Sequence, residues 1–283
     1  MVLAPAKLNL FLKVFEKSGD YHNIYSLVCF IDIFDEIKIM PTDDISVSSE
    51  LNLGKSDLVY KAVCLLKQIS GCGFGADVSI KKRIPIASGM GGASSDAAMT
   101  LRKLNKLWRL NLSKNRLMKI ALMCGSDLPL FFEDSSLLLV SGIGEKIKPV
   151  NLSSALYFVI VYPGVQISAK SAYSWHDLLT TGKTTTIKHL PATIDFETIA
   201  EIVQNDLQAP VASRSLAVKE ALEVLSEKAK EGVVFMTGSG SSVVGMFKNE
   251  ERRNRCYEEI KFRKGWRCFK ARSIRLSEEL LKI

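Results

Sequence analysis

The run Ile84–Ala98, IPIASGMGGASSDAA, constrains the fold of this chain more than any other stretch. It follows a strand-like segment, 76–83, and leads into a pattern where Ala97, Leu101, Leu104 and Trp108 recur at helical spacing. Proline at 85 ends the strand, and Gly89, Gly91 and Gly92 permit a tight turn at a cost in chain entropy. Such a cost is offset where backbone N–H groups must approach a ligand closely; a hinge between domains is the other use. A strand, a glycine turn and a helix starting near Ala93 put free N–H groups at the positive end of a helix, which suits phosphate oxygens. Ser94 and Ser95 can cap that helix or bind phosphate or Mg²⁺, and Asp96 can stabilise its first turn by charge.

Two other glycine readings fail. The segment Gly182-Lys183-Thr184 has Asp177 where a Walker A loop needs glycine, and it follows a helical stretch rather than a strand. Ser94 breaks a G-x-G-x-x-G pattern, so a dinucleotide-binding fold is disfavoured.

The first strand alternates cleanly through AKLNLFLKVF. Leu8, Leu10, Leu12 and Val14 are expected on one face, and Lys7, Asn9 and Phe11 on the other. Lys7 and Asn9 would stand about 6–7 Å apart along it. Further strands are expected at 27–33, 35–40 and 45–49, helices at 57–69 and from Ser113 to Gly125, and strands near 137–140 and 144–150. Beyond residue 150 the pattern restarts with a buried strand at LYFVIVYPG, a helix at SAKSAYSWHDLL and a polar loop over 180–189. Helices near 195–204 and 214–230 follow, then a strand–turn–strand over 233–247, a helix near 250–261 and a last strand near 267–275. With 283 residues, this reads as two mixed α and β halves, 1–150 and 151–283.

The longest apolar run, Leu156–Tyr162, is too short to cross a bilayer, and Lys7 and Lys13 interrupt the apolar N-terminus, so no secretory signal is expected. Six scattered cysteines without a C-x-x-C pair, and three histidines, give no zinc pattern; buried free thiols in the cytoplasm are expected. The net charge of +8 is uneven, for residues 251–283 hold 11 Lys/Arg against 5 Glu. With Tyr257, Phe262, Trp266 and Phe269 interleaved, that segment could bind RNA, although a solvated face of a helix and strand is the simpler reading.

Asp127, set between CGS and LPLFF, is either buried with a partner, chemically employed or the cap of a following turn. Lys7 could equally be a solvated edge residue. The cluster TGSGSS at 237–242, with Gly238, Ser239 and Gly240, could be a tight hairpin or a second set of amides facing anions.

Read together, PAKLNLFL, PIASGMGGASSDAA and TGSGSSVVGMF resemble the three motifs of the galactokinase, homoserine kinase, mevalonate kinase and phosphomevalonate kinase superfamily. DYHNIYSLVCFIDIFDEI, GSDLPLFF and YPGVQISAKSAY narrow the likeness to its branch acting on a cytidine diphosphate-linked methylerythritol, and it runs nearly the whole chain in order. The resemblance implies an α+β two-domain small-molecule kinase fold of mixed sheets with helices and an active site in the interdomain cleft. The first half would bind nucleotide and carry the chemistry, and the second would face the substrate. It implies ATP and Mg²⁺, with phosphoryl transfer to a hydroxyl. Asp127 would take the hydroxyl proton with Lys7 as its cationic neighbour. Pro85, Ile86, Ala87, Ser88, Gly89, Met90, Gly91, Gly92, Ala93, Ser94 and Ser95 would form the nucleotide loop, and Gly238, Ser239 and Gly240 the third glycine motif. Asn9, Tyr21 and His22 match substrate-side positions, and Tyr173 matches an aromatic that stacks on cytosine; as plain structural residues, His22 would be a satisfied turn residue and Tyr173 a helix core aromatic. Met90 and Ala93 stand where the family often has Leu and Gly, Asp20 replaces a glycine, and no metal-ligand acid is assigned.

Two rivals share the superfamily, a mevalonate and a homoserine kinase. Two come from other classes, an RNA-binding module on the basic C-terminal segment and a non-catalytic nucleotide sensor.

Overall fold

The computed structural model describes residues 1–50, 54–179 and 190–277. The loop expected over 180–189, with Lys183, lies outside the described residues.

Two sheets organise the chain. The first opens with a long hairpin, β1 (Val2–Ser18) and β2 (Tyr21–Thr42), turning at Gly19, whose φ of +65° suits glycine. Two short strands expected in this region are one strand, β2, because β1 covers one of its edges from Val2↔Ile37 to Ser18↔Tyr21. The other edge of β2 is shared. Its first part pairs with β5 (Leu137–Gly142) and its second with β4 (Gly75–Lys81), which runs parallel to β3 (Ile45–Ser49). On this sheet pack α1 (Leu58–Ser70), α2 (Gly92–Leu107) and α3 (Lys114–Cys124). Asp57 and Ser113 cap α1 and α3 with their side chains, as helix starts require. A 3₁₀ turn over Leu128–Phe132 follows, and β6 (Lys146–Leu152) extends the sheet beside β5.

The second sheet has the order β10 (Val233–Met236), β11 (Val243–Phe247), β7 (Tyr157–Tyr162), β12 (Arg267–Arg272). Along β7, Phe158 and Ile160 enter an apolar core between the sheets, while Val159 and Val161 face a third core under helices. Those helices include α4 (Ala169–Leu179), α6 (Gln208–Ala212), α7 (Leu216–Lys228) and α8 (Glu250–Ile260). Among the described residues, two short strands and an isolated bridge from Ser273 to Ile31 of β2 bring the second half back to the first sheet. β8 (Thr193–Ile194) pairs with β6, and after α5 (Phe196–Ile202), β9 (Gln204–Asn205) pairs with β1.

The alternation expected along β1 fails at one point. A register shift between Asn9 and Phe11 leaves Leu10 as an extra residue. Phe11 therefore joins Leu8 and Leu10 in the core between the sheets, and Leu12 and Val14 turn to the third core. One inserted residue reverses the side chains that follow it as far as Val14, where a further register shift comes before Lys17.

The basic C-terminal segment forms α8 and β12. Arg252, Arg253 and Arg263 pair with Glu231, Glu250 and Glu220 at 2.5, 2.6 and 2.5 Å. Arg263, Arg267 and Lys270 lie over Trp266, Phe269 and Tyr257. All six cysteines are free, but only Cys29 and Cys256 are buried; the other four are partly exposed. Among the described residues no helix is long and apolar enough to cross a membrane.

Candidate active site

A cavity of about 1010 Å³ is lined by β1, the glycine loop, the first turn of α2, residues 125–128, α4 and the third glycine cluster. Lys7 lies at its base. It is 5% exposed, because β2 covers one edge of β1 there and the glycine loop, through Met90 O, meets the other, so it is not the solvated edge residue that alternation allowed. Its ammonium donates to Asn9 Oδ1 at 2.5 Å and lies 3.7 Å from Asp127 Oδ2. Asn9 is held in turn: its N–H donates to Thr237 Oγ1 at 2.8 Å, and its side-chain amide donates to Ser26 Oγ at 2.8 Å. Asp127 stands before the 3₁₀ turn but caps nothing, and its side chain is 42% exposed on the cavity wall.

The three motifs touch. The N–H of Lys7 donates to Met90 O at 3.0 Å, and that of Ser242 to Ser88 O at 3.2 Å. Three glycines permit this approach. A Cβ on Gly89 would lie 2.2 Å from Thr237 O, on Gly91 2.9 Å from Lys7 Cγ, and on Gly238 2.8 Å from Gly89 O. α2 starts at Gly92 rather than Ala93, and its N-cap is Gly91 with φ +71°, which offers no side-chain cap. The serines thus sit inside the first turn, and its N–H groups stay available at the cavity wall.

Of the expected loop residues, Pro85, Ile86, Ala87, Ser88, Gly89, Gly91, Gly92, Ala93 and Ser94 line the cavity. Met90 does not. It is fully buried in the core between the sheets, which accounts for a large apolar residue inside a glycine turn. Ser95 is also buried, and its hydroxyl has no hydrogen-bond partner among the described residues. Gly238 and Ser239 reach the wall; Gly240 lies behind them.

Asp96 is not a surface charge on a helix end. Its carboxylate, 2% exposed, meets the Lys82 ammonium at 2.6 Å, and Lys82 also pairs with buried Asp35. Asp35 Oδ1 further accepts from the N–H groups of Arg83 and Ile84 at 2.5 and 2.8 Å. Burial, with Asp35 adding its charge, pushes the Asp96 carboxyl up to about 8 against the pull of Lys82. Burial alone would lower Lys82, but its two carboxylate neighbours raise it.

At the other end, Tyr21 is exposed at the rim and His22 lies deeper, 11% exposed. His22 is a strand residue rather than a turn residue, with Nδ1 2.8 Å from Phe15 O. Its ring stacks on Tyr173 with centroids 5.3 Å apart. Nε2 lies 2.9 Å from Asp177 Oδ1 but makes no hydrogen bond with a partner among the described residues. Lys17 holds the other Asp177 oxygen at 2.7 Å. Burial raises Asp177, but the Lys17 hydrogen bond and the His22, Lys17 and His176 charges outweigh it and hold the carboxyl below its usual range. Burial, with the Asp127 charge adding, raises the Tyr173 phenol well above its usual value.

Sequence reasoning missed Lys17, Lys82, Lys170 and Asp177, all on the cavity wall. Lys82, two residues before the loop begins, carried a positional signal; the others meet the cavity only through tertiary packing.

The family described as GHMP kinases N terminal domain matches residues 57–132, and GHMP kinases C terminal matches residues 188–264. The chain is 33% identical over 280 residues to a 4-diphosphocytidyl-2-C-methyl-D-erythritol kinase of Syntrophus aciditrophicus (strain SB), covering 96% of this chain and 99% of the relative. Its fold is similar to a crystal structure of a 4-(cytidine 5'-diphospho)-2C-methyl-D-erythritol kinase, with TM-score 0.79, 26% identity and coverage of 96% and 98% of the two chains. A mevalonate kinase shares the fold at TM-score 0.69 and 17% identity, covering 97% of this chain and 99% of the other.

Proposed function

The chain belongs to the GHMP kinase family, and on that premise we propose that it transfers the γ-phosphoryl group of ATP to a free hydroxyl of 4-diphosphocytidyl-2-C-methyl-D-erythritol, in non-mevalonate isoprenoid precursor synthesis. The observation that carries the mechanism is the meeting of Lys7, Asp127 and the glycine loop in one cavity.

An alcohol is a weak nucleophile. Asp127, open to the cavity, takes the hydroxyl proton as the oxygen begins to bond to the γ-phosphorus and the bond from that phosphorus to the bridging oxygen breaks, leaving ADP. Lys7, oriented by Asn9, supplies positive charge where the alkoxide develops. The transferring group is loosely bonded in the transition state, so catalysis rests on holding charge and alignment. The uncapped N–H groups of α2 and the loop amides do this for the phosphate oxygens. Mg²⁺ would accompany the nucleotide and neutralise phosphate charge; the Ser94 hydroxyl on the wall is an oxygen donor that fits it. Asn9, Tyr21, His22 and Tyr173 face the cytidine-bearing substrate. The free thiols fit a cytoplasmic location.

A panel with radiolabelled Mg²⁺-ATP tests the reading. Label should pass to the cytidyl-diphosphate substrate and not to homoserine or mevalonate; the reverse pattern would replace the assignment with another member of the family.

A further inference from the structure

Asn205 of β9 is buried behind the cavity wall and has no part in the chemistry above. Both hydrogens of its side-chain amide are committed, one to Met236 O at 2.7 Å and one to Gly238 O at 2.8 Å, and its Oδ1 accepts from the Leu207 N–H at 2.9 Å. Gln208 adds a further hold, its Oε1 accepting from the Met236 N–H at 2.8 Å. The two carbonyls that Asn205 grips flank Thr237, whose hydroxyl accepts from the Asn9 N–H. Gly238 itself leans on the reacting groups, for a Cβ there would lie 3.1 Å from Asn9 Oδ1 and 3.3 Å from Lys7 Nζ. The backbone of the same segment is fixed to β1 just past the Leu10 bulge. Leu12 pairs with Asn205, the Asp206 N–H donates to Leu12 O at 3.0 Å, and the Val14 N–H donates to Asp206 Oδ2 at 3.0 Å. A closed ring results, from Asn9 to Thr237, through Asn205 and back along β1 from Leu12. A bulge disrupts its ladder locally, and this one follows the ammonium-bearing residue closely on the same strand; the ring closes over it.

Resting on the functional reading above, we propose that Asn205 is a positioning residue for phosphoryl transfer. By fixing the carbonyls on either side of Thr237 it keeps the Thr237 hydroxyl on Asn9, and through Asn9 it keeps the Lys7 ammonium where the alkoxide develops. A charge stabilises a transition state best when it is already in place, and a displacement of about 1 Å is enough to cost about 100-fold in rate. Without the two amide donors, the carbonyls of Met236 and Gly238 lose their partner and the turn that carries Thr237 shifts. The nucleotide loop has other holds, from Lys7 N–H to Met90 O, from Ser242 N–H to Ser88 O and through the Asp35–Lys82–Asp96 cluster. The loss therefore falls on the chemical step rather than on ATP binding.

The test measures kcat per folded molecule and both KM values, well below the Tm of each variant, for Asn205→Ala, Thr237→Val and the double variant. Asn205→Ala removes both amide donors, and Thr237→Val keeps the shape of the side chain but removes its hydroxyl. Each should lower kcat by about 10- to 100-fold with the KM for ATP nearly unmoved, and the double variant should fall no further than the lower single. Thr237→Ser, which keeps the hydroxyl, should stay near the wild-type kcat. A purely structural role would lower Tm and leave kcat per folded molecule unchanged, or give losses that multiply in the double variant; either result overturns the inference. The Thr237 arm stands even where Asn205→Ala does not fold: equal kcat in Thr237→Val and Thr237→Ser overturns the inference, because the hold on Asn9 runs through that hydroxyl. A wild type that transfers no label to the cytidyl compound would overturn the functional reading and this inference together, an outcome distinct from an active wild type with unaltered variants.

Discussion

At the scale of single residues, Asp127 and Gly89 make separable predictions. Asp127 caps no helix and is partly open to the cavity, so Asp127→Asn should leave the fold and the ATP site intact. Its kcat should fall by about 10²- to 10⁴-fold, with a small change in the KM for ATP, in a steady-state assay. Undiminished turnover would take the proton-accepting role away from Asp127. Gly89→Ala acts on structure. Its φ of +77° disfavours a side chain, and the new Cβ would meet the Thr237 carbonyl at 2.2 Å. It should cost more than about 1 kcal/mol and weaken ATP binding, read as a lower Tm and a higher KM. Lys7 and Asp127 were legible because each sits in a short motif of unusual composition. Asp177 was not, because it meets the cavity beside Lys17 of β1 and His22 of β2, and no local pattern announces a contact across 155 or 160 positions of sequence.

At the scale of elements, the ion cluster of Asp35, Lys82 and Asp96 joins β2, the end of β4 and α2, and so clamps both ends of the glycine loop. Two buried carboxylates share one ammonium, which raises Asp96. A carboxyl raised in the folded state binds its proton more tightly there than in the unfolded chain. Its contribution to stability is complete below about 4, the unfolded value, and is lost as pH climbs through about 8. The wild-type Tm should therefore fall between pH 5 and pH 8.5 by more than that of Asp96→Asn, in which this proton is absent. Equal slopes by differential scanning fluorimetry would contradict the assignment. Helices α1, α2 and α3 and most strands were readable from periodicity and caps. The Leu10 bulge and the 3₁₀ turn at Leu128 were not, since a single inserted residue leaves no periodic trace and a five-residue turn spans too little chain to show one.

For the whole molecule, the apolar layer between the two sheets decides whether the cavity exists. Phe158 is fully buried in it, together with Leu8 and Leu27 from the first sheet and Phe235 from the second. Phe158→Ala should cost about 3–5 kcal/mol, and both halves should melt in one transition, followed by circular dichroism. Separate transitions would mean that the sheets fold independently. The strand β7 of the second sheet was readable from its apolar run, whereas residue 150, where a division was expected, lies inside β6. The returns of β8 and β9 were not, because two-residue strands carry no signal of their own.

The bond from the Asn9 N–H to Thr237 Oγ1 spans 228 positions. A ribosome therefore makes the ammonium-bearing strand long before the segment that locks it, at roughly 5–20 residues per second. The nascent polypeptide passes most of its synthesis without a working centre. Premature termination upstream of Thr237 thus leaves an inert fragment rather than a weakened kinase.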